Sequence, residues 1–534
     1  MFSKSFGRRR FLQTGALFSA GLTASIARTR LVRAADEPVQ AVVIGSGFGG
    51  AVAALRLGKA GIKTLVIERG RRWSIVDPTN NSTFATYRNP DGRSAWLNPT
   101  TVVYDPVPID IYTGVLERLD ENGISVLCGA GVGGGSLVFN GMMYQPPKDL
   151  FYRVFPNSID YDELDQIYFP RVRSIVKLAL LPQDILATNY YLSTRTFLKQ
   201  ATVAGLPNRL IDMALDWDVI RQEINGTRVP SAIIAEDWTG LNSGAKNSLD
   251  KNYLPQAEKT GNVEILPLHV VTEISEVPGY GYRVTCNQIN ESGEIVTSKS
   301  ITCRYLFLAA GSMGTSKLLV KAKVTGTLSK LNNYVGKTWG DNGDNLGSRS
   351  GLPKPTNPGQ GGTGSGLIEH FNNPLGPISL ESYATWNAPD GTLTSLGMVI
   401  PEATGTFNYD QATDSVKLNW PANSSKVKKI LKTAAYTYNI LDRKNTTSTY
   451  NPQTQTILGM QQPTFEASTA TSPHPLGGAV LGQACDLYGR VIGYQGLYVV
   501  DGSLIPGSTA CANPAFTIAA LAERCMDRII ADIS

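Results

Sequence analysis

The chain has 534 residues, 42% of them hydrophobic and 17% charged, enough for two or more domains around sizeable cores in a globular protein. Its formal charge of +5 is a leader effect: Lys4, Arg8, Arg9, Arg10, Arg28, Arg30 and Arg33 all precede the first acid, Asp36, so 42 of the 49 basic residues remain against 44 acids and nothing favours nucleic acid. The six cysteines include no C-x-x-C pair and no histidine neighbours, which leaves metal binding unsupported and any disulfide pairing open.

The leader has a coherent reading. Arg8-Arg9-Arg10-Phe11-Leu12 matches a twin-arginine pattern, and Gln13 to Ala27 is weakly apolar, too short and too mild for a membrane span. Residues 1–35 are therefore expected to be a twin-arginine export signal, cut near Ala34 or Ala27, that delivers an already folded protein to the periplasm or the medium. No later stretch is long and apolar enough to span a bilayer.

The next segment organises the rest. Val42-Val43-Ile44 predicts a strand, Gly45-Ser46-Gly47-Phe48-Gly49-Gly50 a tight turn, Ala51 to Gly61 a helix and Thr64 to Ile67 a second strand closed by Glu68. These are the parts of a dinucleotide-binding βαβ unit. Gly45 permits the turn, Gly47 lets backbone N–H groups approach a pyrophosphate and Gly50 lets the helix pack close to the strand. Glu68, 18 residues past Gly50, stands where an acceptor for ribose hydroxyls is expected.

A long polar connection follows Arg71-Arg72-Trp73 and leads to a second glycine run, Gly129 to Ser136, continuing as Leu137-Val138-Phe139-Asn140-Gly141-Met142. So many glycines between apolar flanks imply that a ligand lies against the main chain there. Helix is expected within Tyr161 to Leu180, and strands at Val263–Leu266, Tyr282–Thr285 and Ile295–Thr297, the last two joined by a turn at 290–293. Tyr305 to Ala309 reads as a buried strand entering a glycine turn, Ala310-Gly311-Ser312, before a helix. Gly351 to Gly366 reads as a mobile surface loop, and Tyr383 to Leu418 as short strands of a separate antiparallel sheet. Leu497 to Asp501 predicts a strand ending in an acid, and Pro514 to Ile530 a helix.

Imidazole chemistry has only His269, His370 and His474 to draw on. His474 precedes Pro475 and the turn residues Gly477-Gly478, so a rigid loop presents it. Asn513-Pro514 caps and starts the last helix, whose positive end would favour negative charge nearby.

With these motifs in view, the chain from about Val39 onward resembles the glucose–methanol–choline oxidoreductases, and among them the bacterial cholesterol oxidases that hold flavin non-covalently. The resemblance is carried by Gly45 to Glu68, Gly131 to Val138, Cys303 to Ser312, His474 to Gly478 and Asp501 to Ser508. It implies an α/β architecture: a Rossmann-like FAD-binding domain from 38–150, 256–335 and 466–534, and an α+β substrate domain on an antiparallel sheet from 151–255 and 336–465.

The same resemblance implies an FAD held by Gly45, Gly47, Gly50, Glu68, Gly131, Gly134, Ser136, Asn140, Gly141, Met142, Gly311, Asp501, Gly502, Asn513 and Pro514, with Val271 near the adenine. His474 and Asn513 would hold the substrate hydroxyl, and Glu381, in an apolar setting that raises its pKa, would act as a base, with Glu369 its rival. The implied reaction oxidises a 3β-hydroxysterol to the ketone with O2 as acceptor and moves a double bond from the 5,6 to the 4,5 position. The sterol would be drawn from a bilayer surface by transient contact. No histidine lies near the second glycine run, where relatives attach flavin covalently, so the FAD is expected to dissociate. Phe139, Ala515 and Ser379-Leu380 depart from the cholesterol oxidase pattern at positions expected to shape oxygen access and the sterol wall. Their departure keeps open a dehydrogenase of another apolar alcohol with a different acceptor.

Overall fold

The computed structural model describes residues 38–533 apart from 76, 81–82, 362–364, 446–449, 452–455 and 458–469, so the expected export signal lies outside the described residues. Val39–Ile44 and Thr64–Ile67 pair in parallel across the helix Phe48–Lys59, with Ala41 opposite Thr64 and Ile44 opposite Ile67. Strands covered on both faces read as unbroken apolar runs, and Val42, Val43 and Ile44 are accordingly buried. Val263–Leu266 extends the sheet beyond Thr64–Ile67, while Ile295–Leu308 lies parallel to Val39–Ile44 on one side and to Leu497–Val499 on the other.

Ile295–Leu308 corrects one expectation, because its two ends, read separately in the sequence, form a single strand of 14 residues. Its first half is mostly exposed and pairs antiparallel with Gly281–Ile289, which pairs in turn with His269–Val277. Only the second half enters the covered part of the sheet, so the apolar pattern begins midway. The turn at 290–293 closes as expected, with the Gly293 N–H donating to the Asn290 carbonyl at 3.1 Å.

A second, antiparallel sheet runs in the order Asp344–Arg349, Leu393–Val399, Ile378–Tyr383, Gly366–His370, Asn208–Leu210. Ile368, Ile378, Leu380 and Val399 pack against Phe197, Ala434 and Tyr438 of the helices Leu192–Ala204 and Ser425–Asn445. The 425–445 helix has no counterpart among the expected elements. Lysines crowd its first turns and mask the buried stripe of Ile430, Ala434, Tyr438 and Leu441. Along Ile378–Tyr383 side chains alternate between faces. Ile378 and Leu380 turn to the helices, which sends Ser379, Glu381 and Tyr383 the other way.

The stretch 351–366, expected to be a mobile surface loop, is instead pinned over its described part. Thr356 and Ser365 are fully buried, and the Asp390 carboxylate accepts from the Thr356 N–H at 2.7 Å. All six cysteines are free thiols.

Candidate functional site

Ligands of parallel α/β sheets lie beyond the carboxyl ends of the strands. Here those ends, at Ile44-Gly45, Ile67-Glu68, Ala309-Ala310 and Asp501, border one cavity of about 850 Å³. Three helices begin at its wall: Phe48–Lys59, Gly311–Val324 and Pro514–Ile533. Each turns the positive end of its dipole toward the space, a setting made for anionic groups.

Of the predicted binding residues, Gly45, Gly47, Glu68, Gly134, Asn140, Met142, Val271, Gly311, Asp501, Gly502, Asn513 and Pro514 line this cavity, as does His474. The two glycine runs touch. A Cβ on Gly134, which holds φ of +54°, would lie 2.7 Å from Gly47 Cα, so position 134 admits no side chain. Ser46, which the sequence reading passes over, joins them: its hydroxyl donates to Glu68 Oε2 at 2.6 Å and accepts from the Gly133 N–H at 3.0 Å. Glu68 also accepts from the Gly70 N–H through Oε1, so it braces the turn as well as facing the cavity.

Gly50, Gly131, Ser136 and Gly141 do not line the cavity and act behind it. A Cβ at Gly50 would sit 2.0 Å from the Gly45 carbonyl oxygen, and the Gly131 carbonyl accepts from Ser46. Ser136 is buried, donating to the Gly133 carbonyl and accepting from the Leu249 N–H, while the Gly141 carbonyl accepts from the Ala214 N–H. Asp501 borders the cavity with its carboxylate already engaged by Thr315 and Ser503. Gly49, outside the fingerprint, is the tightest glycine of the first helix: a Cβ there would lie 1.9 Å from the Val500 carbonyl oxygen.

At one end of the cavity stands a polar cluster. Asn513 donates through Nδ2 to Glu381 Oε2 at 3.0 Å and faces Met142 Sδ at 3.5 Å. Glu381 is fully buried, and desolvation, helped by the negative charge of Asp344, pushes its pKa up to about 8 against the pull of the Asn513 hydrogen bond. Glu381 Oε1 and Asn513 Oδ1 are buried without a hydrogen-bond partner. Such atoms are costly unless a ligand meets them. Glu381 lies behind Asn513 and does not itself border the cavity.

His474 is held by a residue the sequence reading missed. Its Nδ1 is 2.8 Å from Asp344 Oδ1, while Asp344 Oδ2 accepts from Ser472 Oγ at 2.7 Å. Nothing local to residue 344 advertises this role, since the pair is separated by 130 positions. The segment before Asn513 is strained: Ala510 and Cys511 hold φ of +60° and +63°. Asn342, donating to the Ala512 carbonyl, and Ser379, donating to the Cys511 carbonyl, keep it in place.

That contact revises the reading of Ser379-Leu380. Ser379 braces Cys511 and Leu380 packs in the helix-side core, so neither lines the cavity, whereas Phe139 and Ala515 do. Glu369, the rival carboxylate, is taken by Arg209 and the Tyr144 hydroxyl. His370 bonds Thr437 on the helix side of the sheet, and His269 sits between the Pro267 carbonyl and Lys299.

Fold and site together define a dinucleotide-binding α/β protein with a buried polar cluster beside its cavity. The chain belongs to the GMC oxidoreductase family, whose N-terminal model matches residues 39–338 and whose C-terminal model matches 401–522. It is 24% identical to the cholesterol oxidase of Acinetobacter baumannii, over 91% of this chain and 94% of that protein. It is likewise 24% identical to the cholesterol oxidase of Mycobacterium tuberculosis, over 90% of this chain and 89% of that protein. Among solved structures, a fungal aryl-alcohol oxidase aligns with a TM-score of 0.63 at 14% identity, over 93% of this chain and 99% of that one. The formate oxidase of Aspergillus oryzae aligns at 0.62 and 16%, over 93% and 99%.

Membership makes the protein an oxidoreductase and implies FAD. The residues present fit that group: glycines that leave the backbone bare at Gly47 and Gly134, three helix N-termini and, at Asn513, a buried amide oxygen without a partner among the described residues. Gly45, Gly47, Glu68 and Gly134 would hold the dinucleotide, and Asn513 and Pro514 would meet its reactive ring.

Proposed function

We propose that the protein is an FAD-dependent oxidase of a cholesterol-like 3β-hydroxysterol that forms the ketone, reduces O2 to hydrogen peroxide and shifts the double bond from the 5,6 to the 4,5 position. The observation that carries this reading is the cluster of His474, Asn513 and fully buried Glu381 at one end of the cavity. FAD, when bound, supplies the hydride acceptor. His474 takes the hydroxyl proton, and Asn513 orients the oxygen. Glu381, one hydrogen bond behind Asn513 and with its pKa near 8, is the carboxyl to which this reading assigns taking one proton from carbon and returning it two positions away.

The cavity wall suits an apolar alcohol. Val102, Val103, Phe139, Met142, Leu346 and Leu396 line it. Membership in the family and two cholesterol oxidases at 24% identity support the sterol class. Purified protein should be yellow, cholesterol should bleach it anaerobically, and Glu381→Gln should release the unisomerised ketone while still oxidising. If no sterol bleaches the flavin while another apolar alcohol does, the substrate assignment falls.

A second reading keeps the class and changes the acceptor. Phe139 and Ala515 border the cavity where the sequence departs from the cholesterol oxidase pattern, which favours a dehydrogenase of an apolar alcohol that passes electrons to a quinone-like acceptor. Hydrogen peroxide formed per ketone separates the two. In the same reading the FAD is non-covalent and leaves on acid precipitation, residues 1–35 direct export by the twin-arginine route, and the sterol is collected by transient contact with a bilayer. The two discontinuous domains inferred from the sequence would divide these tasks.

A further inference from the structure

We propose that Asp344 is a positioning residue of the hydroxyl-binding site: by accepting the Nδ1 proton of His474 it fixes the tautomer that leaves Nε2 free to take a proton from the alcohol. This rests on the role given to His474 above. The hydrogen bonds set the proton's place. Asp344 Oδ2 accepts from Ser472 Oγ, and the other oxygen of an ionised carboxylate, having no proton to give, meets an imidazole nitrogen at 2.8 Å as the acceptor of its hydrogen. Ser472 in turn accepts from the His474 backbone N–H at 3.0 Å.

The backbone of this loop does not need the carboxylate. Leu476 and Gly340 exchange two hydrogen bonds, the Gly477 N–H donates to the Gly502 carbonyl, and the Gly478 N–H donates to the Lys337 carbonyl. What Asp344 adds acts on the ring. Its side chain is 2% exposed, and among the described residues no lysine or arginine pairs with it.

The groups that face Asp344 sharpen the point. Asp341, one turn earlier, is buried beside it, and burial with the Asp344 charge pushes its pKa up to about 7. Glu381, on the strand Ile378–Tyr383, is raised to about 8 for the same two reasons. Among the described residues, the group best placed to offset a negative charge on Asp344 is the imidazolium formed when His474 receives the substrate proton, 2.8 Å away. Asp344 thus orients the base in the resting enzyme and stabilises its protonated form during turnover.

The test uses flavin-loaded enzyme labelled with 15N-histidine, whose spectrum holds three imidazoles, with His474 assigned by its loss in His474→Gln. Nitrogen shifts should show His474 protonated on Nδ1. In Asp344→Asn the imidazolium pKa should fall by about one pH unit or more. The acidic limb of kcat/KM should move down with it, kcat should drop about 10- to 100-fold with KM little changed, and the double variant with His474→Gln should be no slower than His474→Gln alone. Ser472→Ala, which removes a donor from the carboxylate, should shift the limb the opposite way and serves if Asp344→Asn does not fold.

An unchanged His474 tautomer and titration in Asp344→Asn, or a lowered melting temperature with an unmoved pH profile, overturns the proposal. If the nitrogen shifts respond as expected but no sterol is oxidised, the role of Asp344 stands and the substrate reading is the part that fails.

Discussion

The two ends of the cavity are built on opposite plans. At the nucleotide end, Gly45 to Glu68 fold within one βαβ unit and meet the run Gly129 to Ser136. Side chains there are absent or turned to bracing the backbone, as Ser46 and Asp501 are. At the other end, where Asn342, Ala510 and Cys511 also hold positive φ, the polar groups are side chains brought from distant segments: Asp344, Glu381, His474 and Asn513. At the first end Gly45, Gly49, Gly50 and Gly134 leave no room for a Cβ.

That contrast can be broken most severely at Glu381. Its folded pKa, about 8, stands above the ordinary 4.5, so between those values the unfolded chain binds fewer protons and stability falls as pH rises. The loss is about 4 kcal/mol from pH 5 to pH 8. Glu381→Gln should abolish that part of the slope in denaturant melts taken at the two pH values. Equal slopes would mean that the carboxyl is ionised in the fold and the cluster is not what its burial indicates.

His474→Gln should lower kcat by about 10³-fold while leaving the melting temperature and the flavin spectrum intact. Loss of flavin instead would place this histidine with the nucleotide end. Gly49→Ala should do the reverse. Its Cβ would meet the Val500 carbonyl at 1.9 Å, costing about 3 kcal/mol of stability along with flavin occupancy, measured by calorimetry and by the ratio of flavin to protein absorbance. The smallest effect is expected at Glu68→Gln. It weakens one brace of the glycine turn and should lower FAD affinity by about 1 kcal/mol without slowing the saturated enzyme.

The same contrast decides what could be read in advance. The strand, turn, helix and strand from Val39 to Ile67 are visible because fingerprint, hydrophobic period and acid all lie within one short segment. The long strand Ile295–Leu308 is not legible as one element because half of it is exposed, and the helix Ser425–Asn445 is hidden because lysines mask its buried stripe. At the site, His474 and Asn513 announce themselves through the Pro and Gly beside them. Asp344 and Ser46 do not, because an aspartate opening an edge strand and a serine inside a glycine turn are each ordinary in isolation.

By itself the sequence determined the nucleotide fold and the family, since local spacing and turn chemistry encode those things. Tertiary structure alone decided that Glu381 is held by Asn513, that Asp344 holds His474, and that Ser379 serves a backbone carbonyl instead of the cavity. The reason is physical: hydrogen bonds and desolvation depend on which groups share a buried volume, and here they join residues some 130 positions apart.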